Sequence, residues 1–451
     1  LTLQPFFINV SVFNNATEPQ TLDPGLAKGV TEYNIMIALY EGLTTYDPKD
    51  LSIRPGVAER WEISPDGTVY TFHLRKSKWS NGEPVLARDF VWTWRRVMDP
   101  AVGAEYFEQI ANYLKNGKAC YNGAAADLSI RGWAETQASL RLADAKRLAE
   151  LAQKRHADPI RRLIGQEKDP AVAAALRAAL KTAETRDNVT ADHVGLVAKD
   201  DHTLVVTLES PTAYFLDLAA FFTYFPVHRA TLEKHGSEWT RAGNLVGNGP
   251  YRLKEWKVKE HILVEKNPHY WDAGTVADQK IKILAIEDAS TAFNLYQKGR
   301  IHWLTSSSVP LGYVEELLKL PECHSGPTLG TYFYGFNLKR EGPLRNKKVR
   351  QALARSVDKV RITKYVSRAG ETPAYSIVPP GLPGYTPAPM ASYDPEAARK
   401  LLADAGYPDG KGFPTLEILY NSREDHKSIA TAIQEMWRQE LKIDVVLRNV
   451  E

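Results

Sequence analysis

The sequence predicts an α/β protein of more than one domain, and three observations support this class. The chain has 451 residues, whereas an average domain holds about 150. Segments with the alternation of a half-buried strand recur at 68–75, 202–208 and 415–420. Apolar residues at helical spacing mark other segments, among them 429–441. Because both periods recur along the chain, we expect sheets packed against helices.

The amino-terminal half contains the clearest strand signals. Tyr70, Phe72 and Leu74 alternate with more polar neighbours, and Pro65-Asp66-Gly67 before them favours the turn of a hairpin. Further segments share the strand pattern: 261–265 and 280–286.

Residues 126–187 differ from their surroundings because they are rich in Ala, Leu, Arg and Lys. Apolar residues recur there at helical spacing, and Asp169-Pro170 fits an N-cap followed by proline in the first turn. We predict two or three inserted amphipathic helices. Their basic side chains are interpreted as a solvated face, with a partner-docking surface as the alternative.

The carboxyl-terminal part reads as alternating helices and strands. A helix is expected from Asp394-Pro395 to Ala405, with Gly406 as its C-cap. The strand at 415–420, the helix at 429–441 and a strand at 443–450 form a predicted βαβ unit.

Composition and charge exclude several classes of protein. Apolar residues make up 43% of the chain and charged residues 25%, which argues against disorder, collagen or coiled coil as the main architecture. The net charge is +3 and no basic stripe stands out, so we expect no nucleic-acid partner. A signal peptide and a transmembrane run of roughly 18 apolar residues are both missing from the sequence.

Catalytic and metal-binding motifs do not emerge from the sequence. Gly247-Asn248-Gly249-Pro250 is interpreted as a turn, and Cys323-His324 as a chance neighbour pair without further metal ligands. Glu315-Glu316 is expected on the solvent face of a helix. His426 follows a strand at the start of a helix, where it faces either a crevice or bulk solvent. We therefore expect neither an enzyme nor a cofactor or metal site.

Several segments, in order along the chain, resemble the solute-binding proteins of peptide ABC importers, known as family 5. These segments are EPQTLDP at 18–24, YEGL at 40–43, and the ranges 56–100, 247–272, 336–359 and 420–445. The oligopeptide-binding subgroup is the nearest. The resemblance covers nearly the whole chain except residues 126–187, and it implies that the family's C-terminal quarter is lacking.

The resemblance implies a two-lobed periplasmic-binding-protein-like fold of three discontinuous domains with mixed sheets. Domain I is expected at 1–42 and 228–362, domain II at 43–227 with the helical insertion, and an incomplete domain III at 363–451. Ligand would bind between lobes that close about a hinge. Backbone pairing and hydrated pockets would admit many peptide sequences.

The resemblance also implies ligand-binding positions. It assigns the following residues to the peptide site: Lys28, Val30, Tyr106, Asn337, Asn421 and His426. Lys28 and Val30 would pair through their backbone, although the family more often has an acidic residue at Lys28. Asn337 would lie on a central strand, and His426 as a cation would pair with the peptide carboxylate.

The implied function is capture of peptides outside the cytoplasm and delivery to an ABC permease in the membrane. We expect a monomer in the periplasm or at the cell surface, with a lipid anchor left open. The alternatives are a receptor for another solute (a dipeptide, opine, sugar or metal chelate) and an interaction protein whose helical insertion docks a partner.

Overall fold

The structure, a computed structural model, describes residues 10–122, 190–305, 308–326, 330–379, 385–388, 392–421 and 423–450, together with positions 170, 172–174 and 177. The chain divides into two compact units. The first contains Leu1–Ile286 and Arg300–Trp303, and the second contains Glu287–Gly299 and Leu304–Glu451.

Helices and strands alternate along the described chain. The helices are α1 (Val30–Leu39), α2 (Ala87–Val97), α3 (Glu108–Ala111), α4 (Phe215–Ala219), α5 (Arg229–His235), α6 (Ala289–Gln297), α7 (Val314–Leu317), α8 (Lys347–Arg355), α9 (Lys359–Ile362), α10 (Pro395–Asp404) and α11 (Glu424–Leu441). The strands are β1 (Ser11–Asn14), β2 (Thr44–Tyr46), β3 (Ile53–Pro55), β4 (Ala58–Ile63), β5 (Val69–Leu74), β6 (Leu196–Asp200), β7 (Thr203–Thr207), β8 (Tyr251–Lys257), β9 (His261–Lys266), β10 (Lys280–Leu284), β11 (Trp303–Leu304), β12 (Leu416–Tyr420) and β13 (Val445–Asn449). A π-helical turn, Thr363–Ser367, continues α9.

The first unit contains two larger sheets. A four-stranded sheet has the order β4-β5-β7-β6 with antiparallel neighbours throughout. The predicted hairpin turn is confirmed, since Gly67 has a φ of 70° and its N–H donates to Ser64 at 2.9 Å. The other sheet has the order β11-β1-β10-β9-β8, with β1 parallel to β10 and the pairs β10–β9 and β9–β8 antiparallel.

The strand alternation predicted for the first unit is confirmed by burial. Tyr70, Phe72 and Leu74 point into a hydrophobic cluster that also contains Trp79 and Trp94. A neighbouring hydrophobic cluster packs α1 against the five-stranded sheet. Buried residues of β8, β9 and β10 contribute to this cluster. Burial of side chains this large supplies the main driving force for folding the unit.

The second unit confirms the predicted strand–helix–strand unit. β12 and β13 pair in parallel, and α11 connects them. α10 begins with Pro395 after Asp394, whose carboxylate accepts from the Ala397 N–H at 3.0 Å, and Gly406 follows the helix with a φ of 97°. A third hydrophobic cluster fills this unit and includes Trp437.

The predicted α/β class is confirmed, whereas the three-domain division stays a prediction. The third cluster takes in Val349 and Leu353, which the sequence analysis assigned to domain I. The predicted helices at 126–187 lie outside the described residues, apart from Pro170, 172–174 and Arg177, which are helical. Within the described parts of the chain, every helix is too short or too polar to serve as a transmembrane span.

Candidate ligand-binding site

The segment that carries Lys28 and Val30 is anchored by a buried ion pair. Asp23 is 2% exposed and accepts hydrogen bonds from both terminal nitrogens of Arg96 on α2, at 3.0 and 2.6 Å. The same carboxylate accepts from the Gly25 N–H at 2.9 Å. Bidentate pairing of this kind fixes geometry as well as charge. The loop before α1 is therefore held firmly against α2.

Tyr106 lies beside that loop, in what we call the Tyr106 cluster: Lys28, Tyr106, Phe221 and Phe222. The Tyr106 hydroxyl donates to the Lys28 carbonyl oxygen at 3.1 Å. Its ring meets Phe221 and Phe222 edge-on, with centroids 5.9 and 6.0 Å apart. Val30, the first residue of α1, is 73% exposed close to this loop in sequence. The cluster presents an aromatic wall next to an exposed helix start.

Lys28 carries an exposed ion pair in addition to its backbone contact. Its Nζ lies 2.7 Å from Glu105 Oε1, and the hydrogen bond to Glu105 raises the pKa of Lys28 above its ordinary value. Lys28 therefore stays a cation at neutral pH. Because its carbonyl already accepts from Tyr106, pairing of this carbonyl with a ligand would have to share the oxygen or displace the hydroxyl.

Another part of the family signature is buried, in what we call the Glu41 knot: Glu41, Arg75, Asn248, Tyr270 and Trp271. Tyr270 donates to Glu41 Oε1 at 2.7 Å, and the Trp271 indole donates to Oε2 at 2.6 Å. The Asn248 side chain accepts from the Glu41 N–H at 3.1 Å and donates to its carbonyl at 2.9 Å. Arg75 lies over the Trp271 ring, 3.5 Å from its centroid.

Close packing around this knot gives the glycines of 247–250 a structural role. A side chain at Gly247 or Gly249 would collide with the backbone of Leu39 and Tyr40. Burial raises the pKa of Glu41 to about 7, against the opposing effect of its two hydrogen-bond donors. The knot joins segments that lie far apart in sequence and leaves little surface for a ligand.

In the second unit, Asn421 and His426 come together as predicted. They belong to what we call the His426 cluster: Tyr332, Tyr334, Asn421, Asp425 and His426. His426 Nδ1 contacts the Asn421 side-chain oxygen. The imidazole stacks on Tyr332 at a centroid distance of 4.7 Å, and the Tyr332 hydroxyl donates to that of Tyr334 at 3.3 Å. The end of β12 and the first turn of α11 thus place the imidazole of His426 on the face of the Tyr332 ring.

The charge expected for His426 is not supported by its surroundings. Desolvation lowers the pKa of His426 below its ordinary value, Arg423 adds to this effect, and Asp425 opposes it. Arg423 is itself held by Asp425 through two hydrogen bonds of 3.0 and 2.6 Å. The ring is therefore neutral at neutral pH rather than cationic. With Nδ1 donating to Asn421, Nε2 is left as an acceptor for a ligand N–H.

Asn337 does not lie on the strand that the resemblance predicts. Residues 330–338 form neither helix nor strand, and the Asn337 side chain accepts from the Lys339 N–H at 3.0 Å. Among the described contacts none joins Asn337 to the His426 cluster. A strand needs a hydrogen-bonded neighbour, and none of the described strands pairs with this segment. Its predicted role in binding stays a prediction.

Sequence reasoning missed several members of these clusters. Tyr332 lies in the same segment as Asn337, the only residue there that the sequence analysis assigned to the site. The alternation of Tyr332 with Tyr334 was the signal that could have identified it. Phe221 and Phe222 gave no periodic signal because Phe221 precedes and Phe222 begins a 3-10 helix of only three residues, Phe222–Tyr224. The spacing of Arg423 and Asp425 around the start of α11 could have predicted their pairing.

Comparison with known proteins identifies the group to which the sequence belongs. Residues 52–451 match the family model for bacterial extracellular solute-binding proteins, family 5. The chain is 34% identical to the periplasmic murein peptide-binding protein MppA of Escherichia coli, covering 96% of this chain and 70% of that protein. It is 35% identical to the periplasmic oligopeptide-binding protein OppA of the same species, covering 98% and 70%.

A solved structure supports the same family assignment. The Haemophilus influenzae OppA complex with RPPGFSPFR matches with a TM-score of 0.76 and 32% identity, over 100% of this chain and 77% of that one. This likeness confirms the predicted two-lobed solute-binding fold. The family model spans most of the chain, including α2, the Glu41-binding aromatic pair and the His426 cluster. The chain therefore belongs to the family 5 bacterial extracellular solute-binding proteins.

Proposed function

We propose that this protein captures peptides outside the cytoplasm and delivers them to the permease of an ABC importer. The observation that carries the proposal is the family match over residues 52–451, among whose similar relatives are MppA and OppA, named for peptide binding. The proposal includes oligopeptides as the principal ligands, a monomeric receptor, and no catalytic activity or cofactor.

The chemistry of the Tyr106 and His426 clusters supports a peptide ligand. Aromatic faces at Tyr106 and Tyr332 offer apolar contact to side chains of varied shape. The first turn of α1 has N–H groups without intrahelical partners, next to the exposed Val30. The neutral His426 adds an acceptor. Backbone donors and acceptors beside aromatic walls suit an extended peptide whose sequence varies.

We assign the binding residues on the same grounds. We propose Lys28, Val30, Tyr106, Asn421 and His426 as ligand contacts, with Asn337 as a further candidate. The three hydrophobic clusters among the described residues support a three-domain organisation, in which the third domain takes in α8 as well as the residues after 363.

Isothermal titration calorimetry with a mixed pool of tri- to pentapeptides tests the proposal. We expect saturable heat, with weaker binding of dipeptides. Native mass spectrometry of the purified protein gives the complementary readout, since a tightly bound solute would survive purification. A co-purified opine, sugar or metal chelate, combined with silence toward every peptide pool, would replace the peptide by that solute.

A further inference from the structure

The small net charge of the whole chain hides a strongly basic segment in the second unit. Residues 339–368 contain eleven lysines and arginines but only two acidic residues, giving +9 within a chain whose total is +3. The remaining residues together are therefore acidic. A local excess of positive charge of this size can attract anionic partners even where the net charge of the whole chain is low.

The carboxyl-terminal part of this segment arranges its charges on one side of a helix. Exposed side chains there form what we call the basic face: Val360, Arg361, Lys364, Tyr365 and Arg368. The spacing of Val360, Arg361, Lys364 and Tyr365 places them on one side of α9 and the following π-helical turn, and Arg368 is the C-cap of that turn. Ile362 and Ser367, which lie among these residues in sequence, are buried.

The cations of the basic face lack acidic partners among the residues that the structure describes. Elsewhere in the segment, Arg345 pairs with Glu341 and Lys348 lies 3.4 Å from Asp404. By contrast, no carboxylate of the described residues lies within 4.0 Å of the charged nitrogens of Arg361, Lys364 or Arg368. Lys364 instead lies 5.2 Å from the Tyr365 ring centroid, and Arg368 donates to the Tyr365 carbonyl at 3.0 Å.

The exposed apolar side chains complete the pattern. Val360 is 51% exposed and Tyr365 is 57% exposed among the three cations. Aliphatic and tyrosine side chains mixed with lysine and arginine are typical of helices that rest on the headgroup region of a bilayer. Five side chains are far fewer than the roughly 20 to 30 residues that one partner contributes to a stable protein–protein interface.

We propose that the basic face binds the anionic phospholipid surface of a membrane. Each cation would interact with headgroup phosphates, while Tyr365 and Val360 enter the interfacial layer. The contact is weak, reversible and sensitive to salt, and it does not depend on the proposed peptide binding. Its consequence would be to keep the receptor close to the bilayer.

Vesicle co-sedimentation tests this proposal on the full chain. Vesicles of phosphatidylcholine alone are compared with vesicles containing about one third phosphatidylglycerol, at about 0.05 M and about 0.5 M salt. We expect binding only to the anionic vesicles and only at low salt. The triple variant Arg361→Gln, Lys364→Gln, Arg368→Gln should lose about 100-fold in partitioning, because each cation near an anionic surface contributes about fivefold.

A control variant removes the same charge from elsewhere. Lys49→Gln, Lys76→Gln, Lys78→Gln changes three exposed lysines of the first unit and should reduce partitioning by no more than about threefold. Thermal unfolding checks that both variants fold, and the single variant Lys364→Gln replaces the triple if it does not. Equal losses of partitioning in the two triple variants would overturn the proposal, as would an absence of binding to anionic vesicles. Binding to polyglutamate, an acidic polypeptide, without binding to vesicles would also overturn it.

Discussion

The Glu41 knot and the His426 cluster both combine a titratable side chain with tyrosine or tryptophan rings, yet they differ in exposure. Glu41 is 8% exposed and every polar atom of its side chain has a partner within the first unit. Asn421 and Tyr332 of the His426 cluster are exposed. The Glu41 knot and the Asn421, Asp425 and His426 part of the other cluster come from segments that resemble the family. We therefore expect the buried knot to hold the fold together and the exposed cluster to face a ligand.

The largest expected effect comes from the ion pair that anchors the loop before α1. Arg96→Ala leaves the Asp23 carboxylate buried without its partner, so we expect a loss of about 3–5 kcal/mol in the free energy of unfolding. Chemical denaturation measures this loss. Arg60→Ala is the matched control, because its pair with Glu62 is exposed on both sides and should cost at most about 1 kcal/mol.

A pH profile of stability isolates the Glu41 knot. The folded-state pKa of Glu41 is about 7, raised from 4.5, so between these values the folded chain binds more protons than the unfolded chain. The contribution of Glu41 is fully present below pH 4.5 and is lost as the pH rises through 7, by about 3 kcal/mol. Glu41→Gln should remove this slope.

The control for the slope is an exposed carboxyl group. Glu59 lies on β4 and faces solvent, so the pH profile of stability of Glu59→Gln should follow that of the wild type. Denaturation series at several pH values compare the three proteins. A profile of Glu41→Gln that keeps the full wild-type slope would show that another group is responsible.

Replacing Tyr332 should affect ligand binding rather than stability. Tyr332→Ala removes the ring on which His426 stacks, so we expect peptide affinity to fall by about tenfold, or roughly 1.4 kcal/mol. The unfolding free energy should change by less than about 1 kcal/mol, because Tyr332 is 50% exposed. Calorimetry and denaturation on the same preparation separate the two effects.

The exposed pair of Lys28 and Glu105 should give the smallest effect. Lys28→Met is expected to leave stability nearly unchanged, since both side chains face solvent. Its effect on binding should depend on ligand charge, with acidic peptides losing affinity and basic peptides unaffected or gaining. Glu105→Gln frees the lysine and should give the opposite trend.

Local patterns predicted much of the fold but little of the site. Alternation placed β5, β7 and β12 correctly because buried side chains alternate with less buried ones along β5 and β7, and Ile418 of β12 is buried between two exposed neighbours. α1 escaped notice because apolar residues occupy most of its sides. The strand expected around Asn337 did not form, since its hydrogen-bonded neighbours cannot be read from the segment itself.

Titration and local charge were the harder properties to predict. Burial is the first cause of the pKa shifts of both Glu41 and His426, and burial depends on distant segments, as when Glu41 meets Tyr270 across 229 residues of sequence. The same limitation applies to charge, because the total of +3 hid the excess at 339–368. Counting charge in windows would have found that segment.

The central claim is that exposed signature residues bind peptide while buried ones hold the fold. Calorimetry with the mixed peptide pool on Tyr332→Ala and Glu41→Gln, beside denaturation of both, tests it most directly. We predict weaker peptide binding with near-normal stability for Tyr332→Ala. For Glu41→Gln we predict normal binding with an altered stability profile. Normal binding by Tyr332→Ala, together with lost binding by a folded Glu41→Gln, would contradict the account.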